Sequence, residues 1–236
     1  MTMAEASQLS HAPFLAATPT IEIHHPDVVA FATEHAVGAR NNMEAAVSLF
    51  YAVRDGIRYD PYTLLLTVDE LKASHTLQKR RAWCVPKAIL LAACCRSLGI
   101  PARLGYADVR NHLSTARMRE VMRTDIFYWH GYTSIYIGNK WIKATPAFNI
   151  ELCQKFGMLP LEFDGHSDAL FQPFDAKGNR HMEYLNYRGE FADIPLDSII
   201  ATFQKLYPGL WPAGNQGISD EFDFDRDAES ETKNRT

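Results

Sequence analysis

The stretch Arg81-Ala82-Trp83-Cys84-Val85-Pro86-Lys87-Ala88-Ile89-Leu90-Leu91-Ala92-Ala93-Cys94-Cys95-Arg96-Ser97-Leu98-Gly99-Ile100-Pro101-Ala102-Arg103 decides the fold. It reads as a cysteine at the start of a buried helix that ends at Gly99, with a strand following. Val85, Ala88, Ile89, Ala92, Cys95 and Leu98 recur at i, i+3, i+4 spacing, the pattern of a core-facing stripe. Pro86 falls in the first turn, where its missing N–H costs nothing, and so helps fix Cys84 at the helix start. A thiol there meets unpaired backbone N–H groups and the positive end of the macrodipole, both of which favour thiolate. Cys94 and Cys95 lie near the other end, where the dipole has the opposite sign, and read as inert core cysteines. Cys153 carries no surrounding signal.

Outward from this stretch, 236 residues with 47% hydrophobic and 22% charged side chains suffice for one domain with loose ends. The expected layout is a mobile arm over 1–20, a domain over 21–212 and a disordered acidic tail over 213–236. The net charge of −4 sits in that tail: Ser219 to Thr236 holds seven acidic and three basic residues, which leaves 21 of each sign before it. A neutral body lacks the basic footprint that nucleic acid needs. No apolar run reaches about eighteen residues, so no membrane span is expected. Met1 to Pro19 lacks the basic start of a secretory signal. Four cysteines, two of them adjacent, make no disulfide framework and point to a reducing cytoplasm. His24, His25 and His35 lack ligand spacing and read as surface or capping residues, so neither metal nor organic cofactor is expected.

Along the chain, helices are expected over Pro26 to Val37 and Asn41 to Gly56, an extended segment over Ile57 to Tyr62, and a helical turn over Thr67 to Leu71. Ser74 to Arg81 reads as a polar, basic loop. After a strand from Pro101 to Val109 comes a helical excursion, Asn111 to Asp125, flanked and studded by Arg110, Arg117, Arg119 and Arg123, which reads as a solvated face or a substrate lid. Ile126 to Ile137 is bulky on both parities, as in a covered central strand. Gly138-Asn139 is a two-residue hairpin turn, and Lys140 to Thr145 returns. With no bulge, Ile137 faces Lys140, Tyr132 faces Thr145 and His130 faces Ala147. Thr145 then lies diagonal to His130 on one face, roughly 7–8 Å away. Beyond Asn149, a loop or short helix over 151–166, a hairpin pairing Phe171–Phe174 with Arg180–Tyr187, and an amphipathic helix from Pro195 to Tyr207 complete the reading.

A nucleophilic cysteine needs a base in hydrogen-bond reach, a group that orients the base, and donors for the oxyanion. Cys84 and His130 fit the first two requirements if the helix start packs on the strand; otherwise His130 is a satisfied core histidine. Val53-Arg54-Asp55-Gly56-Ile57-Arg58-Tyr59, Trp83-Cys84, Arg96-Ser97-Leu98-Gly99-Ile100-Pro101-Ala102-Arg103, Trp129-His130-Gly131-Tyr132 and Gly138-Asn139-Lys140-Trp141-Ile142 follow in order. Over Met43 to Asn149 the chain thereby resembles the transglutaminase-like superfamily, a papain-related group of cysteine enzymes.

The resemblance implies a papain-like α+β fold with the nucleophile helix on an antiparallel sheet, Cys84 as nucleophile and His130 as general base and acid. It also exposes a departure: Thr145-Pro146 stands where the family usually has Asp-Pro. A threonine hydroxyl can accept the imidazole N–H but supplies no charge, so imidazolium is less stabilised. Asn149 shares the parity of Thr145 and is a second candidate orienter. For the oxyanion, the Cys84 backbone N–H is available, and Gln78 has a spacing similar to the papain glutamine, though a polar loop residue would look the same. Trp83 reads as a wall of the site. The expected function is a cysteine-dependent hydrolase that cleaves amide, peptide or related acyl bonds of a peptide, protein or small acyl-amide through an acyl-enzyme. The alternatives are transglutaminase-type transfer to an amine, and a silent binding module that lost its orienting acid at Thr145.

Overall fold

The computed structural model describes residues 11–111, 114–171, 182–210 and 224–233. Among these, helices α1 (Pro26–His35), α2 (Asn42–Gly56), α3 (Ala73–Lys79) and α4 (Cys84–Ser97) come first, with a two-residue parallel pair, β1 (Arg58–Tyr59) and β2 (Arg81–Ala82), between them. Then follow β3 (Ala102–Asn111), α5 (Ala116–Met122), β4 (Ile126–Ile137), β5 (Lys140–Ala144), α6 (Ile150–Phe156), β6 (Met182–Phe191), α7 (Leu196–Leu206) and α8 (Phe224–Lys233). Strands β3 to β6 form one antiparallel sheet in the order β5-β4-β3-β6. The architecture is α+β with the Cys84 helix packed on an antiparallel sheet, as the resemblance implies.

Helix α4 is the centre of the molecule: α1, α2 and α3 pack on it from one side, β3 and β4 from the other. Every residue from Cys84 to Arg96 is therefore buried, and the expected one-sided stripe becomes burial all round. Its two cations are held by backbone carbonyls. Lys87 Nζ donates to the Arg54 and Ile57 carbonyls at 2.9 and 2.5 Å, satisfying the C-terminal end of α2. Arg96 donates to Ala102, Ala16 and Ala192. Gly99, at φ +75°, lets the chain leave the helix for β3.

The hairpin register is confirmed where it pairs: Ile137 faces Lys140 and Thr133 faces Ala144 across a Gly138-Asn139 turn with both residues at positive φ. Pairing stops there, so the expected pairs Tyr132 with Thr145 and His130 with Ala147 do not form. The Thr145 N–H instead donates to the Ala169 carbonyl, and Ala169 N–H to the Lys143 carbonyl, as the later chain takes over the edge of β5.

Other expectations shift. Ser74 to Arg81 is not a loop but mostly α3, with Ala73 and Thr76 buried and Arg80 closing it at φ +55°. Residues 11–20 are docked rather than loose: the Phe14 ring lies 5.2 Å from Trp141, and Thr20 donates to Asp193. The earlier part of the expected arm, residues 1–10, lies outside the described residues. Of the expected hairpin, 172–181 lie outside them too, and the following segment is β6, paired with β3. Within the acidic tail 224–233 form α8, while 211–223 and 234–236 are not described. No helix among the described residues is long and apolar enough to cross a membrane.

Candidate active site

Cys84 is the first residue of α4, so its own N–H and that of Val85 have no helical partner. These amides and the backbone N–H of Gly131 on β4 lie near enough to pull the value of the Cys84 thiol down, outside hydrogen-bonding geometry. That third donor is free for a reason of register. Tyr136 N–H bonds the carbonyl of Pro101, just before β3, so the odd-numbered residues of β4 from Gly131 to Ile137 turn their backbone polar groups toward β5. The ladder would bring Pro146 opposite Gly131, but β5 has already left, and Gly131 packs on the start of α4 instead. Close approach also needs the missing side chain: a Cβ on Gly131 would stand 3.0 to 3.1 Å from Val85 side-chain and backbone carbons.

His130, the residue before Gly131, is thus brought beside the thiol segment. Its ring packs 5.9 Å from Phe171 and 6.4 Å from Tyr184, and Nε2 is buried without a partner. No hydrogen bond joins His130 to Cys84 among the described residues. Thr145 Oγ1 is likewise buried and unpartnered, and so is Tyr184 Oη, which lies toward Thr145 and the Phe171 backbone outside hydrogen-bonding geometry. Thr145 and His130 therefore flank the same tyrosine, without a direct bond between them.

Burial governs the protonation of both reactive groups. It pushes the Cys84 thiol up to about 11, against the backbone donors and the charge of Lys87, which pull it down. It pulls His130 down to about 4. With these values thiol and imidazole are both uncharged at neutral pH; the helix-start N–H groups favour thiolate as expected, and burial outweighs them. Three buried tyrosines, Tyr59, Tyr106 and Tyr207, and the half-buried Tyr184 lie close enough for a charge on Cys84 to reinforce the burial that raises their own values.

Two sequence candidates are elsewhere. Asn149 is buried, but its Oδ1 accepts the Tyr59 N–H at 3.0 Å and its Nδ2 donates to Glu151 at 2.7 Å, so both ends of the amide are engaged away from the imidazole. Gln78 is exposed on α3, in a surface groove with His25, Glu34 and His75, because a helix stands where a loop was expected. Trp83, the residue before Cys84, is buried, its ring 6.5 Å from that of Phe203. Cys94 and Cys95 are fully buried with raised values, the inert state expected of them. All four cysteines are free, and no group of three or more His, Cys, Asp or Glu among the described residues could hold a metal. His25 caps α1, accepting from the Asp27 N–H, and His35 lies against Phe31.

The sequence profile described as transglutaminase-like superfamily matches residues 29–146, half of the chain. The chain belongs to the transglutaminase-like superfamily. The matched span contains Cys84, His130 and Thr145 and ends at Pro146. No curated protein matches the sequence. Among solved structures, a candidate cysteine protease of Cytophaga hutchinsonii is similar at 19% identity and a TM-score of 0.45, covering 77% of this chain and 54% of its own. A candidate protease of Parabacteroides distasonis is similar at 13% and 0.38, covering 60% and 26%. This superfamily member thus spans about half of the first protein's length and about a quarter of the second's.

Residue reading missed Gly131, Lys87 and Tyr184. A glycine inside an otherwise bulky strand signals close backbone approach, and a lone lysine inside an apolar helix signals a buried, partnered charge. Nothing in the sequence marked Tyr184.

Proposed function

We propose that the protein is a cysteine-dependent hydrolase of amide or related acyl bonds, working through an acyl-enzyme. The observation that carries this reading is the close packing of Gly131 against Val85 at the start of α4, which sets the Cys84 thiol beside the strand that carries His130, whose Nε2 is buried without a partner.

In this reaction Cys84 Sγ bonds to the carbonyl carbon of the substrate while its proton passes to His130, which is neutral at rest and so able to accept it. The carbonyl oxygen takes the electron pair, and N–H groups at the start of α4 stabilise it. The C–N bond then breaks, with the His130 proton going to the departing amine. Water, losing a proton to His130, attacks the thioester, and a carboxylic acid leaves as the thiol re-forms. An amine in place of water would make the same acyl-enzyme a transfer intermediate.

A second reading has its own support: Thr145 in place of the carboxylate, and a thiol and imidazole each uncharged at rest, are what a silent binding module would show. A screen of peptide and acyl-amide substrates separates the two. Turnover that falls at least about a thousandfold in Cys84→Ala supports the hydrolase. Absence of turnover, with iodoacetamide labelling of Cys84 that rises only in the alkaline range and ignores His130→Ala, supports the silent module. Adding a primary amine tells transfer from hydrolysis by the product formed.

A further inference from the structure

Strand β4 contains an irregularity immediately before His130. Above it Ala107 pairs with His130; below it Val109 pairs with Phe127, so Tyr128 and Trp129 together oppose the single residue Asp108. This is a β-bulge, and Trp129 adopts φ +59° within it. A tryptophan in the left-handed region is disfavoured by contact of its Cβ with the backbone, and persists only where surroundings impose it.

The surroundings converge on Asp108. Its carboxylate is buried, and Oδ1 accepts the Trp129 backbone N–H at 3.2 Å. The same oxygen accepts from Arg188 Nε at 2.5 Å, with Asn186 Nδ2 3.5 Å from Oδ2. Arg188 is itself a bulged residue: on β6, Gly189 pairs with Tyr106 and Tyr187 with Ala107, which leaves Arg188 unmatched between them. Its guanidinium lies 4.7 Å over the Trp129 ring, and the Trp129 indole N–H is fixed to Thr202 of α7 at 3.0 Å. Asp108 thus stands between two bulges, bonded to the amide of one and the cation of the other.

We propose that Asp108 is a positioning residue for His130: by holding the Trp129 amide it fixes the bulge that sets the face and depth at which His130 enters the site. The inference rests on the reading of His130 as base. Its physical core is the side-chain alternation of a strand. An inserted residue reverses which face each later side chain occupies, so relaxing Trp129 to extended backbone would re-aim His130. The chain lacks the family carboxylate at Thr145, and in Asp108 it has one that acts on the histidine through the backbone.

The test uses the full chain with 15N-labelled histidine, His130 being assigned by the signal lost in His130→Ala. Asp108→Ala removes the acceptor, and Asp108→Ser leaves a polar group too short to reach the Trp129 amide, which serves if the alanine variant does not fold. Asp108→Asn keeps an acceptor oxygen in place. The expected result is that Ala or Ser moves the His130 ring signals while the other histidines stay put, and slows Cys84 labelling by iodoacetamide at pH 7 about tenfold, a part of what a general base contributes. Asn should leave the ring signals in place and labelling within about twofold of native. His130 ring signals in Ala or Ser that superimpose on the native ones overturn the proposal. If His130→Ala leaves labelling unchanged while Asp108→Ala still moves the ring, the base assignment falls and the positioning by Asp108 stands.

Discussion

At Cys84 two influences act on one sulfur: the backbone donors of the helix start favour thiolate, and burial favours thiol, and burial prevails. The same burial acts on His130 in the direction that leaves it neutral. This has a consequence for stability that can be signed. The folded value of His130, about 4, lies below the ordinary value of 6.5, so an unfolded chain binds this proton more readily. The stability linked to His130 is fully present above pH 6.5 and is lost as pH falls toward 4, by about 3 kcal/mol for a shift of this size. Urea titrations of native chain and His130→Gln at pH 7 and pH 4 check it. The native chain should lose more than the variant by about that amount, and equal losses would show that burial does not depress His130. Cys84 has the opposite sign: its folded value is raised, so its contribution is complete below pH 9 and is lost as pH climbs toward 11.

Between elements, the tie that sets the nucleophile helix against its neighbour is Lys87, whose Nζ satisfies two carbonyls at the end of α2. Burial pulls its value down to about 7, so the amine is a costly occupant retained for its bonds. Lys87→Met would fill the space but leave the Arg54 and Ile57 carbonyls buried without that donor. Each such loss costs about 1–3 kcal/mol, offset in part by removing the amine, so a net loss of about 2 kcal/mol is expected. Urea unfolding with an unchanged slope measures it, and a neutral or stabilising result would mean the buried amine costs as much as its bonds contribute. Elements were legible where local chemistry and packing agree. Pro86 and Gly99 bracketed α4, and Gly138-Asn139 fixed the hairpin register. Helix α3 was not legible, because Lys72 gives it no side-chain cap and only Ala73 and Thr76 are deeply buried. The bulge was hidden for a similar reason: Trp129 is not a residue that announces positive φ, and the carboxylate that imposes it lies on another strand. Cys84 and His130 were legible as candidates for chemistry, whereas the bond that engages Asn149 was not, because its partner Tyr59 lies 90 residues away.

For the molecule as a whole, the acidic end of a chain whose body is neutral folds back as α8. Asp225 reaches Arg58 and Lys155, Asp227 reaches Arg117 and the Tyr62 hydroxyl, and Glu229 reaches Lys155. These pairs are partly exposed and screened by solvent, so they add little stability. The apolar anchor is Phe224, buried against Tyr59, Tyr62 and Phe156, worth about 1.5–3 kcal/mol. Ordering each backbone residue of a ten-residue helix costs about 1–2 kcal/mol before its own hydrogen bonds are counted. Helix α8 should therefore open far more readily than α4, which is buried on all sides. Tyr59 lies between the two, in contact with Phe224 and within electrostatic reach of Cys84, so the opening borders the site. Amide exchange is expected to be faster across α8 than across α4, and to rise in α8 alone with Phe224→Ala or with 0.5 M sodium chloride, which screens the exposed pairs. Exchange in α8 as slow as in α4 and insensitive to both changes would make it an integral part of the core, with its acidic residues then holding no more than the surface of an already fixed helix.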